Sequence, residues 1–319
     1  MRTRDFFTYR KLKGTDYSRI LMIILLSVST LSSLAQQDFL PPSNVYRQDR
    51  LRTVIITEAA SGLAISAGLY FLWYRKHPNS HFHFFNDNGE WLQMDKIGHA
   101  TTAYNIGSIQ YDLMRWCGVD NNTSIMVGGL TAVGYMTVIE IFDGFSSKWG
   151  FSNGDMIANI FGAALFAAQQ KGWNQQRILM KWSFHGSPYA QYYPAELGDN
   201  WISRMLKDYN GQTYWLSLNI ASFLPGKSGF PYWLNISAGY GAEGMIGART
   251  NPQIINGKQI PDFPRYRKFF LAPDADLFRI PTSSQPFNAF TYLTRFSKIP
   301  APTLEWSKIK GFKFHPIYY

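Results

Sequence analysis

Glu140 stands inside residues 128–144, GGLTAVGYMTVIEIFDG, where the only other charged side chain is Asp143. A carboxylate flanked by Ile139 and Ile141 is costly to bury, in protein or in lipid, unless a cation, a proton or a metal meets it. The fold must therefore bring a polar partner from elsewhere in the chain to this helix. That requirement constrains the architecture more than any other feature of the sequence.

Two other segments supply candidates. Asp95-Lys96-Ile97-Gly98-His99 opens a helix expected over about 95–116 and places Asp95 and His99 one turn apart on one face, with Thr102 and Ile106 continuing the stripe. Asp155 and Asn159 open a helix expected over about 153–171, followed by Gly162 and small residues at 163, 164, 167 and 168. Between them runs the helix that carries Glu140 and Asp143, expected over about 125–143. Short connections make successive helices antiparallel, so the three polar groups can meet at one end of a bundle. Each group also has a plainer explanation. Ser152-Asn153-Gly154-Asp155 reads as a capping box, Asp95 as an N-cap, and His99 as a satisfied core histidine.

At the N-terminus, residues 20–35 form a short apolar run behind six basic residues and end in Ser33-Leu34-Ala35, a signal-peptidase pattern. Residues 1–35 are expected to be a signal peptide and Gln36 the mature start; the other reading is an uncleaved inner-membrane anchor. No cysteine follows the run to accept a lipid, and the single Cys117 excludes an intramolecular disulfide. Six of the 31 basic and two of the 21 acidic residues precede residue 20, leaving a thinly spread excess of +6. This argues against a nucleic-acid groove and for work near an anionic membrane surface.

The rest of the chain divides into a linker over 36–50, a largely apolar bundle of about four helices over 51–172, an irregular connection over 173–212, and a β-rich, aromatic region over 213–319. The fold class is α+β. The first helix of the bundle, about 51–74, suits either a membrane span or a buried central helix, and Gly62/Ser66 and Ala64/Gly68 would let a neighbour approach closely. His77, His81 and His83 lie in what reads as a solvated loop, their spacing matching no standard metal pattern. A short helix near 199–209 carries Ile202, Met205, Leu206 and Tyr209 on one face. Beyond it, Leu216, Leu218 and Ile220 alternate with Ser217, Asn219 and Ala221, and Leu234, Ile236, Ala238 and Tyr240 alternate with Asn235, Ser237 and Gly239. These are half-buried strands. Others are expected over 268–280 and 304–319. The stretch is too short for eight membrane-crossing strands, so a small antiparallel sheet packed on the bundle is expected.

The order D-K-x-x-H (Asp95–His99), E-x-x-D-G (Glu140–Gly144), G-F-S-x-x-D-x-x-A-N-x-x-G (Gly150–Gly162) resembles the YfiM-like family of predicted periplasmic lipoproteins of unknown function. More distantly it is similar to the VanZ-like membrane proteins. The segment DYNGQTYWL (Asp208–Leu216) resembles the C-terminal extension of Bacteroidetes-type members. The resemblance implies a cell-envelope protein with a polar centre of the family's type, and no established reaction; the expected location is the periplasm, in association with the outer membrane.

Two functions follow. One is a non-enzymatic, membrane-associated envelope protein whose polar centre serves fold specificity or the docking of an envelope protein, consistent with the absence of familiar catalytic motifs. The other is a metal-dependent or acid–base hydrolase of an envelope lipid or glycan. There Asp95, His99, Glu140, Asp143 and Asp155 are the catalytic candidates, and Lys96 and Asn159 bind an anionic substrate. His99, Glu140 and Asp143 would hold a divalent zinc, manganese or iron ion. A third reading makes Asp274 and Asp276 part of a sugar- or peptide-binding surface, against a solvated strand face.

Overall fold

The computed structural model describes residues 39–72, 74–226 and 229–319; the leader expected over 1–35 lies outside them. Four long helices come first: α1 (Gln48–Leu72), α2 (Met94–Trp116), α3 (Asn121–Gly144) and α4 (Asn153–Trp173). α3 starts a turn earlier than its apolar run because Asp120 caps it, its side chain accepting from the N–H of Thr123. Gly118, at φ 82°, makes the sharp α2–α3 turn.

α2, α3 and α4 form the packed unit. Gly107 meets Gly128, and Ala103, Ala132, Met136 and Ala163 share one cluster, so α2 and α3 run antiparallel. Gly162 lies against the carbonyl of Ala100, and α4 thus runs parallel to α2. The starts of α2 and α4 and the end of α3 are therefore neighbours. α1 is not a buried central helix: Val54 is its only buried side chain among the described residues. Tyr135 packs beside Gly62, where an added Cβ would lie 3.4 Å from its ring in ordinary contact, and a Cβ at Gly68 would meet nothing within 4 Å. α1 and α3 are both long and apolar enough to cross a membrane.

The second half is a six-stranded antiparallel sheet, in the order β1 (Ile178–Phe184), β2 (Gln212–Asn219), β3 (Leu234–Glu243), β6 (Tyr266–Ala275), β7 (Ala301–Ser307), β8 (Gly311–Tyr318). A separate two-stranded ribbon pairs β4 (Ile254–Ile255) with β5 (Lys258–Gln259). Three short helices complete the chain: α5 (Pro194–Leu197), α6 (Trp201–Lys207) and α7 (Gln285–Thr294). β1 stands in the stretch expected to be irregular, and α7 in the stretch expected to be all β. What reads as one strand over 304–319 is the hairpin β7–β8. The apolar side of α6 is not buried: Trp201 and Ile202 are exposed while Ser203 is buried.

The sheet is strongly curled. Tyr318, in the last strand, packs on Trp215 and Phe270 and shares a hydrogen bond of 3.0 Å with Thr213 in the second. Residues 296–298 lie along the free edge of β1, with Trp182 donating to Phe296 and accepting from Lys298. The sheet meets the bundle through α2: Tyr104 Oη donates to the carbonyl of Ile178, and Asn105 Nδ2 to that of Met180.

The strands alternate as expected, but beside the Trp215–Phe270–Tyr318 cluster the buried side is largely polar. Ser217, Asn219, Asn235, Ser237, Lys268, Asp274, Glu305 and Ser307 face inward, while Leu216, Ile236, Phe269, Leu271, Leu304 and Trp306 face outward. Inside, Asp274 lies 2.8 Å from Lys181 and 3.5 Å from Lys298, and Ser217 Oγ donates to it at 2.6 Å. Asp276 pairs with Arg279 at 3.0 Å. Asp274 and Asp276 thus serve the interior and form no ligand surface.

Candidate functional site

The helix starts are placed by local chemistry. Trp91, Leu92 and Gln93 take left-handed φ values of 47°, 51° and 64° just ahead of α2. Such a conformation costs about 1–2 kcal/mol per non-glycine residue. It is held from outside: Tyr240 of β3 donates to the carbonyl of Leu92, Trp91 N–H donates to Ala248, and Arg267 of β6 donates to the Gln93 side chain. The sheet thereby fixes where Asp95 and Lys96 emerge. At α4, Ser152 is the N-cap, its Oγ accepting from Asp155 N–H at 3.1 Å and donating to Asp87 at 2.6 Å. The backbone N–H of Ser152 donates to Glu140 Oε2 at 3.0 Å, which ties the end of α3 to the start of α4.

Around these anchors the three segments converge. Lys96 Nζ lies 2.7 Å from Asp87, 3.2 Å from Asp95 and 2.8 Å from Asp155. His99 Nδ1 donates to Asn159 Oδ1 at 3.1 Å and lies 3.6 Å from Glu140 Oε1. Its Nε2 faces Asp95 at 3.8 Å and Asp155 at 3.9 Å. Tyr209 Oη donates to Asp95 Oδ1 at 2.5 Å. Asp143 stands apart from the imidazole, its carboxylate accepting from Tyr74 Oη at 2.7 Å. Asn159 Nδ2 and Glu140 Oε1 are buried with no hydrogen-bond partner.

Asp87 and Tyr74 come from outside the motifs, and Tyr209, which lies in the DYNGQTYWL segment, carried no sign in the sequence of its place beside Asp95. The cue for Asp87 was the stretch FNDNGEW; the loop before it is not freely solvated but zipped onto residues 144–151, with His83 N–H donating to Gly144, Phe85 N–H to Phe151, and Phe151 N–H back to His83.

The charges are unevenly held. Burial works against ionised Asp95, yet His99, Lys96 and the Tyr209 hydroxyl outweigh it and keep this carboxyl below its ordinary range. Asp155 goes the other way: burial and the negative charge of Asp95 push it up to about 8, against the pull of His99 and Lys96. Burial disfavours protonated His99, but the carboxylates of Asp95, Asp155 and Glu140 prevail and raise it. Lys96 is likewise raised, its carboxylates prevailing over burial. The centre therefore pairs an ionised carboxylate with a carboxyl that titrates near neutrality across one imidazole.

It is also reachable. A cavity of about 220 Å³ opens over Asp95, His99 and Asp155, walled by Trp91, Trp149 and Tyr209, with Lys148 and Lys207 also lining it. Oxygen or nitrogen atoms of Asp95, His99 and Asp155 lie within 4.8 Å of one another, close enough for one metal ion. Of the ligand set expected from sequence, His99 belongs to this group, Glu140 approaches its other ring nitrogen, and Asp143 is bonded to Tyr74.

Residues 83–171 match a family described as predicted periplasmic lipoprotein (DUF2279). The match contains all three converging segments and supports an exported, periplasmic protein. No curated protein and no solved structure matches the chain.

Proposed function

We propose that this is a membrane-associated envelope protein whose polar centre is an acid–base site for the head group of an envelope lipid or lipid-linked glycan. The observation that carries the reading is the convergence of Asp95, His99 and Asp155 beneath an open cavity. A network serving only the fold would have no need of access from solvent. Asp155, protonated near neutral pH, can donate to a leaving oxygen, while ionised Asp95 orients His99, whose deprotonated form takes the proton of an attacking water. Lys148 is held by Glu196 at 2.6 Å, and the aromatic walls suit a sugar or glycerol backbone. The match of residues 83–171 to a predicted periplasmic lipoprotein family agrees with an envelope location and adds no reaction.

The test is conversion of a total envelope lipid extract by the purified chain, read by mass spectrometry. A lipid species should disappear with the wild type and persist with His99→Ala and Asp155→Asn, both still folded by thermal melting. A folded wild type that neither converts nor retains any lipid would overturn the reading.

Lys96 favours a second possibility, a fixed latch between two helix starts and the loop at Asp87, because its ammonium already satisfies Asp87, Asp95 and Asp155. It also bears on the metal. A divalent ion at Asp95, His99 and Asp155 would compete with Lys96 Nζ for the same carboxylates. Elemental analysis decides: one ion per chain in the wild type, lost in His99→Ala, supports metal-assisted chemistry. Metal appearing only in Lys96→Met makes Lys96 the resident cation.

A further inference from the structure

The reversed burial of the sheet is the feature that neither the acid–base site nor the helices account for. In a sheet bathed in water the apolar residues of an alternating strand pack inward. Here Trp215, Phe270 and Ala272 remain inside, but a larger set of apolar residues on adjacent strands is turned out: Phe269 and Leu271 on β6, Leu304 and Trp306 on β7, and Phe312 and Phe314 on β8. Phe312 and Phe314 are 73% and 64% exposed, while Lys181, Asp274 and Lys298 inside the curl are each under 5%. Polar-in, apolar-out alternation is the pattern of a β-wall in lipid.

The apolar surface does not stop at the sheet. Leu216, Ala238 and Tyr240 form one side of an apolar groove of about 540 Å³ whose other side is Ile157 and Phe161 of α4. The surface thus runs from the strands onto the bundle, a contiguous apolar face of the kind that marks a contact with a partner or a membrane. Its charged border fits a bilayer: Arg267 and the exposed Lys308, Lys310 and Lys313 ring the β7–β8 turn, at the end of the sheet where Arg267 reaches Gln93 and the polar cavity opens. Cations at that edge meet the anionic head groups while the aromatic belt lies among acyl chains.

We infer that the outer face of the six-stranded sheet is immersed in the acyl chains of a membrane, with the Lys308–Lys313 turn at the head groups. The sheet is then a lipid-facing wall beside the helices, and the cavity over His99 opens at the interface where head groups lie. The inference is independent of any chemistry at His99.

Spin-label accessibility tests it. In a Cys117→Ser background, single cysteines replace Phe269, Leu271, Leu304, Phe161 and Lys308, and each labelled chain is reconstituted into phosphatidylethanolamine–phosphatidylglycerol vesicles. At 269, 271 and 304 the collision rate with oxygen should exceed that with a water-soluble nickel chelate several-fold, and at 308 the order should reverse. Chelate access at 269, 271 and 304 equal to that at 308 would overturn the inference. If 161 alone were oxygen-accessible, the helices would be in lipid and the sheet would not, again overturning it. Low access to both reagents with dipolar broadening would mean a second copy covers the face, and without broadening another protein; either outcome overturns it.

Discussion

Gly162→Ala tests whether the polar centre depends on the close crossing of α2 and α4. A Cβ at Gly162 would sit 2.0 Å from the carbonyl oxygen of Ala100, and real Cβ atoms are essentially never found within 3.0 Å of another atom. The obstacle is backbone and cannot rotate away, so α4 must withdraw by about 1 Å. Overpacking of this kind costs about 1–3 kcal/mol, and alanine returns up to about 1 kcal/mol of helix propensity. With the full offset the net loss is about 0–2 kcal/mol, or a fall in Tm of up to roughly 8 °C at about 2–4 °C per kcal/mol. The same withdrawal stretches the 3.1 Å His99–Asn159 bond beyond hydrogen-bonding range. Gly134→Ala is the matched control, on the exposed side of α3 with nothing within 4 Å, and should gain about 0.5–1 kcal/mol. Thermal unfolding in detergent measures both, and carbon-detected NMR of His99 reports the ring's environment. Equal stability of the two variants, with an unchanged His99 signal, would refute the crossing argument.

Other perturbations follow from the same geometry. Asp274→Asn leaves Lys181 and Lys298 facing each other inside the curl without their shared counter-ion, and should cost about 3–5 kcal/mol, read as a loss of Tm. Asp95→Asn removes the like charge that helps raise Asp155, so the Asp155 titration, about 8 in the wild type, should move down in a carboxyl NMR series. Because Asp155 and His99 are both raised, their contribution to stability is complete at low pH and fades as pH rises. For Asp155 the fading runs from its unfolded value of about 4 to its folded value of about 8, and Asp155→Asn should flatten the Tm–pH curve across that window. Glu140→Gln keeps an acceptor for the Ser152 N–H and should be milder than Glu140→Ala, which strands that donor; comparable losses would show that the α3–α4 tie carries little weight.

The helices and their convergence were legible because their signals are local. Apolar runs set the bounds of α2 to α4, Ser152 announced the start of α4, and short connections left few ways for the three polar segments to lie apart. The remainder depended on contacts between distant residues. Asp87 and Tyr209 join the centre from a loop and from the end of a short helix, and no spacing rule links either to His99. β1 was hidden by Lys181, which reads as a solvated residue and is in fact buried against Asp274. Ser284 and Pro286 start α7 in a stretch dominated by strand-like composition. Period-two alternation gave the strands but is silent on which side faces the core, because inverting the surroundings leaves the pattern unchanged.

The two halves of the molecule are coupled through the left-handed turn at Trp91–Gln93. That turn is unfavourable in isolation, and its restraints come from Tyr240 and Arg267, both on strands whose outer residues form the apolar wall. The register of β3 against β6 places these two side chains opposite the start of α2, with Tyr240 accepting from Arg267 at 3.0 Å. A one-residue shift of β3 would turn its apolar residues inward and withdraw Tyr240, and the same shift of β6 would withdraw Arg267. Forces on the sheet's outer face therefore reach Asp95 and Lys96 through two hydrogen bonds. Tyr240→Phe isolates that link: the fold keeps its packing, the turn loses its donor to Leu92, and the Asp95–Lys96 pair should become more mobile. Hydrogen exchange over residues 91–99 should then quicken while exchange in β3 and β6 is unchanged. Unaltered protection at the start of α2 would mean that the helix holds its own position and that the sheet supports the site only by proximity.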